Sequence, residues 1–215
     1  MIKPDAAEHF DKSWKKYDRW YETHPALYGS ELRALSKAAV AGRGLEIGVG
    51  SGRFAVPLSV RFGLDPAFNM LRLAKRRGIR VVQGCGESLP FADGVFSLVL
   101  IVFVLEFVSR PREILQEATR VLQNGGRLIV GFIDADSRWG EYYERTAYQS
   151  GLYDPLPARK MIPMIEQTGL LVTEARQTLF GPPPESRRSE EPRKGFGRGG
   201  FVVLHATKSL RRQAP

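Results

Sequence analysis

Residues 44–54 read GLEIGVGSGRF, and this stretch constrains the fold more than any other. An apolar segment runs past Glu46 into three glycines at alternate positions, Gly48, Gly50 and Gly52. Alternating glycine weakens both strands and helices, so the stretch reads as a strand ending in a loop that something approaches closely. Four more short apolar segments follow: 60–65, 79–84, 95–102 and 126–132. Strands this uniformly apolar suit a parallel sheet covered on both faces.

Helical patterns fill the gaps. In HFDKSWKKYDRWYETH, Phe10, Trp14, Tyr17 and Tyr21 recur at helical spacing. A second helix is expected over 31–41, after Ser30 and before Gly42. Asp65-Pro66 supplies an N-cap and a first-turn proline for a helix that ends at Gly78. Further helices are expected at 111–122, 137–149 and 158–168, then strands at 170–180 and 201–208. The alternation predicts one doubly wound α/β domain over 1–215. Its parts are a helical lid (1–42), a core (43–180), a Pro/Gly-rich basic linker (181–200) and a last strand (201–208). Only seven residues, with Pro57 among them, separate Gly52 from the second strand, room for about two helical turns at most.

Composition removes several functions. Cys85 is the only cysteine, which excludes an intrachain disulfide framework and a cysteine-rich zinc site; no metal is expected. The start of the chain has no signal-peptide pattern, and the run 95–108, broken by Ser97 and Glu106, is too short to span ~30 Å of hydrocarbon. A cytoplasmic protein without membrane association is expected. The net charge of +9 is concentrated after residue 180, where eight Lys/Arg face three Asp/Glu. No nucleic-acid motif accompanies them, so they read as a solvated linker and tail rather than an RNA surface.

The glycine loop stands at the carboxyl end of the first strand, where open α/β sheets bind ligands. A dinucleotide loop would need glycine at position 53, where this chain has Arg53, which disfavours NAD or FAD. Asp65 ends the second strand 19 residues after Glu46, where an acid can accept both hydroxyls of a ribose.

Together these stretches resemble a family. LEIGVGSGRF is similar to motif I of the class I S-adenosylmethionine (SAM)-dependent methyltransferases, and GLDPAFNML to their acidic second motif. VVQGCGESLPFADGVFSLV resembles their third-strand segment, and LQEATRVLQNGGRLIVG the helix and GG turn before their fifth strand. The entry FDKSWKKYDRWYETH is similar to that of the small-molecule, type 11 branch; the resemblance covers roughly 10–135.

It implies a seven-stranded Rossmann-like sheet with an antiparallel last strand, SAM as cofactor and S-adenosylhomocysteine as product. Glu46, Gly48, Gly50 and Gly52 would hold the methionine end, and Asp65 the ribose. Pro66, Met70, Cys85, Gly86 and Glu87 would surround the adenine, with Ile101, Val102 and Phe103 beneath the sulfonium. Cys85 stands where the family usually carries an adenine-binding Asp, and Ser97 replaces another usual Asp.

The implied reaction is methyl transfer to a small-molecule acceptor. A SAM-binding protein with another role and an RNA or protein methyltransferase are the rivals. Tyr17 and Tyr21 are candidate catalytic residues on the lid, with Trp20 beside them as core or lid. His24 is either a base or a helix C-terminal cap, and Glu106 either a substrate-facing acid or a surface residue. His205 reads as structural, and Trp139, Tyr142 and Tyr143 as a far wall of the acceptor pocket. The oligomeric state is left open.

Overall fold

In the computed structural model of the chain, residues 4–36, 43–146, 152–184, 186 and 188–209 are described. The expected end of the second helix (37–41), residues 147–149 and the tail beyond 209 lie outside them.

β1 (Gly44–Ile47) is the hub of the sheet. It runs parallel to β2 (Phe62–Asp65) on one side and to β4 (Phe96–Val102) on the other. β3 (Arg80–Gln83) continues the parallel order beyond β2, and β5 (Leu122–Ile133) beyond β4. The strand Phe201–Lys208, here β8, lies antiparallel between β5 and β6 (Leu170–Thr178). A two-residue strand, β7 (Arg193–Lys194), pairs with the edge of β6. Among the described residues the sheet therefore has eight strands in the order β3-β2-β1-β4-β5-β8-β6-β7, one more than expected.

The period-2 alternation of β4 divides the core. Val99 and Ile101 join Leu45, Ile47, Leu128 and Val130 on one face, under α4 (Pro111–Val121) and α6 (Ala158–Glu166). Leu98, Leu100 and Val102 point to the other face, under α1 (Pro4–Thr23), α2 (Pro25–Leu35) and α3 (Phe68–Arg76). α5 (Arg138–Thr146) contributes the buried Trp139 to this second face. The short first crossover holds only turns over 51–59.

Three elements depart from the sequence reading. α2 begins at Pro25, six residues early, because proline at the first turn preorganises the helix and lacks an N–H to satisfy. Asp65 does not cap α3, whose N-cap position is Ala67 with no side-chain bond; its carboxylate serves the turn before the helix. The segment 181–200 is no free linker. The Glu190 carboxylate accepts the N–H groups of Phe180 and Gly181, and its own N–H reaches Ser30 Oγ on α2 at 2.8 Å. The Arg193 guanidinium lies 4.5 Å from the Phe180 ring centroid, so one of the basic residues is used in packing.

Candidate active site

A cavity of about 530 Å³ opens at the carboxyl ends of β1, β2 and β4, with α1 as its roof. This is the ligand position of open α/β sheets.

The loop after β1 forms the floor. Gly48 and Val49 donate to the Leu64 carbonyl at 2.7 and 3.0 Å, fastening the loop to β2. Gly50, at φ +50°, faces the cavity directly beneath the Tyr17 ring. Gly48 also lines it, although a Cβ there would strike Val104 Cγ2 at 2.2 Å. Gly52 does something else. At φ +85° its missing Cβ makes room for Ile79 Cδ1, 2.5 Å from where the Cβ would be, so it packs the loop against α3.

Asp65 stands at the cavity wall. One carboxylate oxygen accepts the Gly50 N–H at 2.9 Å and the other the Ala67 N–H at 2.8 Å. Burial raises its pKa to about 6, against the pull of those two N–H groups and with some help from Asp11. Glu46 lies below the loop, off the cavity surface, and burial holds its carboxyl well above the usual range. Its Oε2 has no hydrogen-bond partner among the described residues. A ligand bearing hydroxyls finds acceptors here that suit it, because each Asp65 oxygen keeps a second lone pair.

Pro66 and Met70 extend the wall, and Val102 and Phe103 close the end of β4. Phe103 has φ +55°, an unusual conformation for a bulky side chain, and its N–H is held by the Gly131 carbonyl at 3.0 Å. Ile101 does not reach the cavity, since alternation turns it into the opposite core. Cys85, Gly86 and Glu87 also lie off the lining. Cys85 is exposed, and a Cβ at Gly86 would meet Ile47 and Ile114 in the core. Burial raises the Cys85 thiol, as do the charges of Glu87 and Asp65, which sets it near the Asp65 side of the site.

The roof is aromatic. Tyr17, Trp20 and Tyr21 line the cavity, and the Tyr21 hydroxyl donates to that of Tyr17 at 2.8 Å. Tyr21 also meets Tyr28 and Phe54 edge-on. His24 sits outside. Its ring stacks on Trp20 at 4.6 Å, and Nδ1 lies 3.0 Å from the Trp20 carbonyl, at the end of α1. Of the expected far wall, Tyr143 lines the cavity, whereas Trp139 is buried with its Nε1–H donated to the Gly181 carbonyl. Glu106 is neither surface residue nor cavity lining. It is buried on a 3₁₀ turn (Leu105–Phe107), and burial pushes its carboxyl up to about 7.

Two features escape motif reading. One is a clasp. Asp18 of α1 accepts Arg53 Nε and Nη2 at 2.8 Å and Arg77 Nη1 and Nη2 at 2.8 and 2.9 Å, while Arg77 also donates to the Ser51 carbonyl. Although partial burial opposes ionisation, the two guanidinium groups hold Asp18 well below the usual carboxylate range. Farther along α1, Asp11 accepts the Asn69 N–H at 2.6 Å at the start of α3. The other feature is Glu31, on the cavity wall yet only 2% exposed. A visible signal existed for it: Glu31 lies four residues from both Leu27 and Leu35, an acid inside an apolar stripe.

Residues 45–130 match the methyltransferase domain family model. A protein of Methanocaldococcus jannaschii is 41% identical over 202 residues, covering 93% of this chain and 98% of that one. A demethylmenaquinone methyltransferase of Renibacterium salmoninarum is 32% identical over 170 residues, covering 73% of this chain and 69% of its own. A Thermotoga maritima structure described as a SAM-dependent methyltransferase, possible histamine N-methyltransferase, aligns with a TM-score of 0.89 at 37% identity, over 93% of this chain and 98% of that one. With the glycine loop, the acidic second strand end and the sheet order in agreement, the chain belongs to the class I SAM-dependent methyltransferases and is an enzyme that uses SAM.

Proposed function

We propose that the protein transfers the methyl group of SAM to a small molecule held in the cavity under α1. The observation that carries this reading is that one cavity joins Gly48, Gly50 and Asp65 to the aromatic roof of Tyr17, Trp20 and Tyr21. Cofactor chemistry and acceptor space thus adjoin.

SAM supplies an electrophilic methyl group on a sulfonium. Asp65 accepts the ribose hydroxyls, and the loop at Gly48 and Gly50 receives the methionine end, with Glu46 buried beneath that loop. Pro66 and Met70 give the adenine an apolar face, and Val102 and Phe103 lie beneath the reacting centre. Tyr17 and Tyr21 exclude water and fix the acceptor's approach, because such a reaction depends chiefly on orientation in a dry site. Proximity alone supplies ~7–11 kcal/mol in favourable intramolecular cases.

A polymer acceptor is disfavoured because α1 is clasped over the cavity by Asp18, Arg53 and Arg77. Part of the basic segment 181–200 is also tied to α2 and β6. The test is calorimetry of S-adenosylhomocysteine binding, followed by a screen of small-molecule acceptors for its formation from SAM. Tight, steeply salt-dependent RNA binding at physiological ionic strength would overturn the small-molecule reading.

A further inference from the structure

Glu31 carries a buried carboxylate oxygen that nothing among the described residues holds. It lines the cavity from α2, is 2% exposed, and its Oε2 has no hydrogen-bond partner among the described residues. A buried carboxylate oxygen without a donor is costly, and Glu31 differs from Glu46 and Glu106, which share that condition, in standing on the cavity wall where a ligand can supply the donor.

Its surroundings indicate what that is. The basic side chains on the cavity lining are His9 and Lys16, both exposed on α1, so no buried cation answers Glu31 there among the described residues. The walls instead present the rings of Tyr17, Trp20, Tyr21, Phe103 and Tyr143. Ring faces attract cations, and a desolvated site strengthens that attraction. Asp65, the other acid on the wall, already accepts two N–H groups.

We propose that Glu31 recognises the methyl acceptor, and that the acceptor is a small amine bound as its ammonium among these rings. This rests on the methyltransferase reading. The ammonium donates to the Glu31 carboxylate, and the rings enclose the remaining positive surface. Before the nitrogen can act as a nucleophile it must lose a proton. The N–H bond breaks, the proton forms an O–H bond on Glu31, and the electron pair stays on nitrogen. Burial, which pushes this carboxyl up to about 8, makes the protonated form a stable resting place.

The test uses the full chain saturated with S-adenosylhomocysteine. Primary ammonium compounds are titrated beside their alcohol counterparts, beginning with 2-phenylethylammonium and 2-phenylethanol and continuing through shorter and branched pairs. At least one ammonium is expected to bind more than tenfold tighter than its alcohol. Glu31→Gln is expected to bring that pair within twofold while leaving S-adenosylhomocysteine affinity unchanged. No preference in any pair, or a preference that survives in Glu31→Gln, overturns the proposal. If Glu31→Gln does not fold, Glu31→Leu takes its place in the same paired titrations, with the same expected and overturning results. Failure of the wild-type chain to bind S-adenosylhomocysteine would count against the cofactor reading instead, so the two fail separately.

Discussion

The sheet side and the helix side of the cavity treat their buried acids differently. On the sheet side, Asp65 spends both oxygens on the backbone of Gly50 and Ala67 and so fixes the loop's shape. On the helix side, Glu31 Oε2 fixes nothing among the described residues. One acid is part of the folded scaffold and keeps spare lone pairs. The other is buried with an oxygen that no described residue satisfies. A site that costs stability in the empty protein is a mark of function rather than of folding.

The largest expected effect breaks or sharpens that contrast directly. The Glu31 carboxyl titrates near 4.5 in the unfolded chain and near 8 in the fold. Between those values the folded protein keeps a proton that the unfolded chain releases, so stability falls as pH rises from about 5 to about 8. Glu31→Gln cannot ionise, and is expected to stabilise the ligand-free protein by about 2–4 kcal/mol at pH 8, falling below about 1 kcal/mol at pH 5. Thermal melts at the two pH values check this. Equal melting temperatures for variant and wild type at pH 8 would mean that Glu31 is satisfied in the fold.

The clasp on α1 is expected to behave in the opposite way. Asp18 is held in its ionised form by Arg53 and Arg77, so its contribution is complete above the unfolded value of 3.8 and is lost as pH falls below it. Asp18→Ala is expected to destabilise the protein by about 2–3 kcal/mol at pH 7, between the effects of exposed and fully buried pairs. If urea unfolding gives a loss below about 0.5 kcal/mol, α1 is held by its aromatic face alone.

Asp65→Ala is expected to weaken S-adenosylhomocysteine binding by roughly 1.5–2 kcal/mol, since a charged acceptor is lost. The wild-type affinity should also weaken as pH falls below about 6, where the carboxylate takes up a proton. Calorimetry across pH 5 to 8 that shows neither change would remove Asp65 from the ligand.

What the sequence revealed follows from where information is local. The loop 48–52 and the acid at 65 are legible because a turn and a strand end are written in adjacent residues, and the sheet order follows from apolar runs. Gly52 and Ile101 lie off the cavity lining for a reason that is not local. Ile79 fills the space of the missing Gly52 side chain, and the alternation of β4 turns Ile101 away from Val102. The clasp joins Asp18 to residues 35 and 59 positions away, a pairing that no spacing rule reaches. Glu31 was hidden by its setting in an ordinary helix. Only the packing shows that Leu27 and Leu35 of its stripe enter the core while Glu31 reaches the cavity wall.

The smallest effect is expected at Cys85, where a family carboxylate would accept from the adenine amine. The thiol is exposed and off the cavity lining, yet the charges of Glu87 and Asp65 reach it. Cys85→Asp would add a stronger acceptor, but also a third negative charge beside those two. A hydrogen bond to a charged group contributes ~1.5–3 kcal/mol, and like-charge repulsion near the surface cancels much of it. The variant is therefore expected to tighten S-adenosylhomocysteine binding by less than about 1 kcal/mol, roughly fivefold at most. Because screening weakens the repulsion more than the short hydrogen bond, the gain should grow between 50 and 500 mM salt. Weaker binding at every salt concentration in a folded variant would show that the adenine does not approach the end of β3. The contrast between the two sides would then extend to the base, leaving Pro66 and Met70 as its whole apolar contact on the sheet side.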